Sequence, residues 1–111
     1  MKFNLGNGSA RTDLEVDLPG DYRNGWMHVT LVVDRTAGTV MIAVDFGEFN
    51  TLTLPSNLQD ISFDSFDHLT IGQDATGTYD ASLTASLDEF MIFDGALTEA
   101  ELAQLAAYYG K

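Results

Sequence analysis

Two apolar runs, separated by a four-residue connection, constrain this chain more than any other feature. Residues 26–34 (WMHVTLVVD) and 39–46 (TVMIAVDF) are rich in β-branched side chains, and Arg35-Thr36-Ala37-Gly38 joins them. So short a connection predicts an antiparallel hairpin, with Gly38 able to take a positive φ. In the second run Val40, Ile42, Val44 and Phe46 share one strand face. The other face, Met41 and Ala43, is also apolar until Asp45. In the first run Val29, Leu31 and Val33 align, and Trp26 falls on the opposite parity. Either the hairpin is covered on both faces or a bulge near His28 resets its register. Coverage on both sides is expected.

A hairpin covered in that way belongs in a layered structure, and turn signals at short intervals point to an all-β sandwich. Gly6-Asn7-Gly8-Ser9 reads as a loop, with further turns at Pro19-Gly20-Asp21 and Arg23-Asn24-Gly25. Residues 14–18 (LEVDL) alternate apolar and acidic, the pattern of a half-buried strand. Residues 49–54 form a shorter strand stopped by Pro55. Residues 68–72 (HLTIG) form another, and 85–93 (ASLDEFMIF) a last long one. The chain closes on a short helix. Thr98 is its N-cap, Glu101 completes a capping box, and Leu97 and Leu102 form a hydrophobic staple. Leu102, Leu105, Ala106 and Tyr109 make one apolar stripe for packing onto the sandwich, and Gly110 suits the C-terminal turn. The expected fold class is therefore an antiparallel β-sandwich with one short C-terminal α-helix.

No repeat, low-complexity tract or linker divides the 111 residues, so one domain over 1–111 is expected. A chain of this size buries somewhat over ~60% of its unfolded surface, enough for one core. No apolar run approaches the ~20 residues of a membrane-spanning helix, and the first residues lack the apolar stretch of a signal peptide. A signal is therefore expected to have been removed, or the chain to be part of a larger protein. The absence of cysteine excludes disulfide bracing and thiolate metal sites, and leaves the redox compartment open. Seventeen acids against five bases give a net charge of −12. That field disfavours nucleic acid and anionic lipid as partners and favours cations, calcium among them. Solubility is the plainer reading of the same charge.

Five landmarks in order carry a resemblance. They are Trp26-Met27-His28-Val29, then Val44-Asp45-Phe46-Gly47, then Leu69-Thr70-Ile71-Gly72. Leu87-Asp88-Glu89-Phe90-Met91-Ile92-Phe93 follows, and Gly95-Ala96-Leu97-Thr98-Glu99-Ala100-Glu101-Leu102 is the last. Together they resemble laminin G-like, concanavalin A-like jelly-roll domains. Those domains carry a Trp-x-His-Val strand, a strand ending in Val-Asp-Gly, a Leu-x-Ile-Gly strand, an Asp-Glu strand and a closing Ala-Leu-Thr/Ser-x-x-Glu-Leu. The second landmark departs from the pattern, with Val-Asp-Gly altered to Val44-Asp45-Phe46-Gly47. The resemblance implies a jelly roll whose early strands are represented here only by residues 1–25. A pared-down sandwich, a paired or swapped homodimer, and a fragment of a longer protein are the three outcomes, because unpaired strand edges invite pairing.

The resemblance also implies a structural calcium site near Asp88, the candidate metal ligand, with other ligands from the N-terminal region. The alternative is an Asp88 carboxylate that hydrogen-bonds to loop backbone. In the polar loop 73–80 (QDATGTYD), Asp74, Thr76, Tyr79 and Asp80 offer carboxylates, a hydroxyl and an aromatic ring for sugar recognition. Asp74 and Asp80 could instead ligate a cation. Tyr22 and Asn24 are further binding candidates by the same logic. Trp26 is expected in the core, and His28 and His68 are read as structural. Catalysis is not expected. The chain lacks a Gly-x-Ser-x-Gly elbow, a His-Glu-x-x-His helix, a phosphate loop and the closely spaced carboxylates of glycosidases on this fold. On a strand, Asp88 and Glu89 would point to opposite faces. Asp13, Glu15 and Asp17 read as a solvated strand face. The expected function is a non-catalytic, lectin-like carbohydrate-binding module of a secreted bacterial or phage protein, with glycan as partner. A structural or adhesion module that pairs through its edges is the alternative.

Overall fold

The computed structural model describes residues 1–7, 9–18, 20, 22–60, 69–72, 78 and 84–110. The chain forms two compact units, Met1–Ile61 with Phe93–Lys111, and Ser62–Ile92.

In the first unit β1 (Lys2–Gly6) and β2 (Arg11–Glu15) pair antiparallel, with Phe3 opposite Leu14 and Leu5 opposite Thr12. These four residues share one face. The other face is a polar ladder, because strand side chains alternate. Lys2 Nζ lies 2.8 Å from Glu15 and 3.6 Å from Asp13, and Arg11 Nε lies 3.0 Å from Asp13. The acidic alternation therefore is a solvated face, as its spacing suggests. The strand sits earlier than residues 14–18, because Met1 and Val16 exchange hydrogen bonds of 2.7 and 2.9 Å and set the register from the chain's start.

The second sheet orders β3 (Val29–Asp34), β4 (Thr39–Val44) and β5 (Asn50–Thr53), all antiparallel. Val29 pairs with Val44, Leu31 with Ile42 and Val33 with Val40. In the connection between β3 and β4, the Ala37 N–H donates to Asp34 Oδ1 at 2.8 Å, and Gly38 takes φ 66°. A Cβ at Gly38 would also lie 2.9 Å from Gln59 Nε2, so only glycine fits without a shift. Both faces of β4 are covered: Val40 and Ile42 are buried on one, Ala43 on the other. On β3 the coverage is partial, with Val32 buried and Leu31 exposed.

Leu14 of the first sheet packs with Val40 of the second and with Leu54 and Leu58, which follow β5, and Phe3, Leu5, Ala10 and Val33 close around them. This is the shared interior of an antiparallel sandwich. Each buried leucine contributes about 1.5–3 kcal/mol by leaving water. Leu58 stands on a one-turn helix, α1 (Ser56–Gln59), that follows Pro55. The sequence suggests only a strand stop there.

The closing helix, α2 (Glu99–Tyr108), has the expected cap. The Glu101 N–H donates to Thr98 Oγ1 at 3.3 Å, and the Thr98 N–H donates to Glu101 Oε2 at 2.8 Å. Leu102 is buried and Leu105, Ala106 and Tyr109 are half-buried, the stripe that the spacing marks. Gly110 turns at φ 73°.

Three expectations are corrected. Trp26 is 69% exposed, because the strand begins only at Val29 and a 3₁₀ turn at Tyr22–Asn24 precedes it. Residues 69–72 form no strand. Nor do residues 85–93, where Leu87, Phe90 and Ile92 are exposed. Glu89 has φ 53°, and its N–H is satisfied locally by Asp88 Oδ1 at 2.9 Å, which breaks the extended run. Asp88 and Glu89 therefore do not alternate across a strand.

Candidate functional site

Of the residues the sequence singled out for binding, Asp74, Thr76, Tyr79 and Asp80 lie outside the described residues. Tyr22 and Asn24 come together on the exposed 3₁₀ turn. Asp88 stands in the second unit with its carboxylate on the neighbouring N–H, the backbone-bracing arrangement. Among the described residues no three His, Asp or Glu side chains are grouped to hold a metal ion. Calcium takes six to eight oxygens, and one carboxylate does not fit that need.

The structure brings together a different set. At the end of β4 the chain turns through Val44-Asp45-Phe46-Gly47, closed by the Gly47 N–H donating to the Val44 carbonyl at 2.9 Å. Asp45 and Phe46 both have positive φ, 51° and 57°, the two left-handed residues of a type I′ turn. The turn is tied to the residue before β3. The Asp45 N–H donates to the His28 carbonyl at 2.8 Å, and the His28 N–H donates to Asp45 Oδ1 at 2.9 Å. The Phe46 ring stacks on the His28 imidazole, with centroids 3.8 Å apart and planes 15° from parallel. His28 is thus structural, as expected, with Thr30 Oγ1 3.3 Å from its Nδ1.

Beyond the turn opens a groove of about 560 Å³. Half-buried Met41, Phe46 and Phe49 form its apolar floor, and exposed Glu48, Thr51 and Glu99 its polar rim. Glu99 comes from the first turn of α2, so the capping box places one rim carboxylate. A smaller depression of about 350 Å³ lies along α2 between Phe93, Leu97, Leu105 and Tyr108. Its carboxylate among the described residues, Glu101, is committed to the helix cap.

The groove is electrostatically one-sided. Of the five bases, Lys2 and Arg11 are engaged on the β1–β2 ladder. Among the described residues no base lines the groove. Among the described residues neither Glu48 nor Glu99 has a cationic partner. On the ladder, the Asn4 amide, with Arg11 and Lys2, holds the Asp13 carboxyl below the usual carboxylate range. Lys2 does the same for Glu15 and is itself raised by it. Glu101 is lowered by the Thr98 backbone N–H, then by the Thr98 hydroxyl.

Phe46, Glu48, Phe49 and Glu99 escape a reading of the sequence for sites. The one available signal is the altered landmark Val44-Asp45-Phe46-Gly47.

No curated protein matches the sequence. The fold is similar to the crystal structure of an S-layer domain-containing protein (residues 221–444) from Clostridium thermocellum, with a TM-score of 0.59 and 21% identity. The similarity covers 87% of this chain and 45% of that one, so the chain spans less than half of its neighbour's length. Residues 1–103 match the family model described as the concanavalin A-like lectin/glucanases superfamily, laminin G type. With this match over nearly the whole chain and two antiparallel sheets closed on one interior, the chain belongs to the concanavalin A-like lectin/glucanase superfamily.

Proposed function

We propose that this domain is a non-catalytic carbohydrate-binding module and that the groove beside the Val44–Gly47 turn holds the glycan. The carrying observation is an apolar floor of Met41, Phe46 and Phe49 under a rim of Glu48, Thr51 and Glu99. A pyranose ring presents a C–H face that packs on aromatic surface and hydroxyls that donate to carboxylates, so this layout suits it. With acids on the rim and no base among the described lining residues, the groove favours neutral or amine-bearing sugars and repels uronic and sulfated ones. The missing glycosidase motif supports binding without cleavage. The S-layer name of the structural neighbour supports a secreted, cell-surface setting, and among the described residues no helix is long and apolar enough to cross a membrane.

Calorimetric titration with cello-oligosaccharides, chitosan oligosaccharides and oligogalacturonates tests this. Binding of a neutral or amine-bearing series is expected, with Phe49→Ala or Glu48→Gln weakening it about tenfold, ~1.4 kcal/mol. Binding of none, or variants with unchanged affinity, would overturn the assignment to this groove. Loss confined to Tyr79→Ala and Asp74→Ala would move the site to the loop 73–80.

A second reading is association with other chains, including a second copy of this one. It rests on β3 and β5 standing at the edges of their three-stranded sheet among the described residues. The two readings coexist, because pairing multiplies weak glycan affinity through avidity.

A further inference from the structure

We propose that Phe46 is a ligand-contacting residue of the groove, held in a strained backbone and positioned by its stack on His28; this rests on the carbohydrate reading above. A type I′ turn of Asp followed by a second left-handed residue calls for glycine at that second place. Phe46 occupies it at φ 57°. A side chain there crowds the following carbonyl, a cost that glycine avoids. Nothing in the turn's own hydrogen bonds needs a ring: the Gly47 N–H to Val44 carbonyl bond and the Asp45 pairing with His28 are made by backbone and Asp45 atoms.

The ring's contacts give it a role. One face lies against the His28 imidazole at 3.8 Å, and the same side chain forms part of the groove floor. Stacking fixes the ring's plane, and the left-handed backbone fixes the direction in which it leaves the chain. The imidazole itself does not line the groove. It acts on a ligand only through Phe46. The groove's shape is thereby pre-set, which lowers the ordering cost of binding a flexible saccharide.

The experiment compares Phe46→Gly, Phe46→Ala, Phe46→Tyr and His28→Ala in the full chain. Phe46→Gly and Phe46→Ala remove the same ring and differ in backbone strain, with glycine's greater freedom in the unfolded chain offsetting part of the relief. The glycine variant is therefore expected to melt a few degrees above the alanine variant, because the left-handed strain outweighs that offset. Equal melting points would overturn the strain.

With the chitosan or cello-oligosaccharide that the wild type binds, Phe46→Gly is expected to lose about tenfold in affinity although its backbone is relaxed. Phe46→Tyr is expected to keep affinity. His28→Ala is expected to lose several-fold while remaining folded, and the wild-type imidazole proton signals, displaced by the Phe46 ring current, to return to ordinary values in Phe46→Gly. Unchanged affinity in His28→Ala would overturn the positioning role. If no glycan binds any form, the melting and imidazole measurements still decide whether Phe46 is strained and clamped, and only the carbohydrate reading falls.

Discussion

At the scale of single residues, this chain uses polar side chains to settle local backbone geometry. Thr98 and Glu101 close the start of α2 on each other, and Asn7 Oδ1 accepts from the Ser9 and Ala10 N–H groups to shape the β1–β2 loop. Asp45 clamps the approach to β3 in the same manner. The ladder of Lys2, Arg11, Asp13 and Glu15 is solvent-facing, and its worth depends on pH. Asp13, Glu15 and Glu101 have folded pKa values below their ordinary ones. Their contribution is therefore complete above the ordinary carboxylate range and lost as pH falls through the lowered values. Lys2 is raised, so its contribution fades only at alkaline pH, above the ordinary lysine value. Melting curves of the wild type and Asp13→Asn should accordingly be separated at neutral pH and converge in acid. A separation that stays constant down to strongly acidic pH would show that the Asp13 carboxylate contributes nothing through its charge.

At the scale of elements, the central feature is β4, buried on both faces and paired on both edges. Its neighbours are less protected. β3 has an outer edge free of strand partners among the described residues, and Leu31 on it is 41% exposed. Exposed edges of β-branched strands promote association, and a charge placed on them suppresses it. If the domain pairs through this strand, sedimentation of the wild type should show mass increasing with concentration, and Leu31→Lys should remain a monomer. A wild type that stays monomeric over the same range would remove β3 as an association edge. α2 contributes in two ways, with Leu102 buried in the interior and Glu99 on the groove rim.

At the scale of the whole molecule, a net charge of −12 on 111 residues biases every encounter. It disfavours polyanions as partners and draws cations toward the surface. We propose calcium as one such cation: the resemblance implies it near Asp88, and the carboxylates of Asp74 and Asp80 offer a separate place for it. A specific ion that binds only the folded state raises the melting midpoint as its concentration rises. Calcium at a built site should therefore shift the midpoint where magnesium at equal ionic strength does not, and chelator should reverse the shift. Equal effects of the two ions would reduce the role of calcium to screening.

What the sequence by itself determined were the features written in neighbouring residues. Periodicity marked the β3–β4 hairpin, since alternation and a four-residue connection leave no other pairing. Gly38, the capping box and the stripe from Leu102 to Tyr109 were legible because each is settled within one or two turns of chain. Even β1 was available in the alternation of Lys2-Phe3-Asn4-Leu5. Only the tertiary structure decided features that depend on distant partners. Residues 85–93 are rich in apolar residues like a strand, yet composition does not name the neighbouring edge that must supply hydrogen bonds. Trp26 is exposed because the strand begins three residues later than its composition suggests. The groove gathers residues from Met41 to Glu99, and no spacing along the chain encodes that meeting. Its floor depends on a left-handed phenylalanine clamped by a histidine from another strand's approach, a contact that exists only once the sheet has closed.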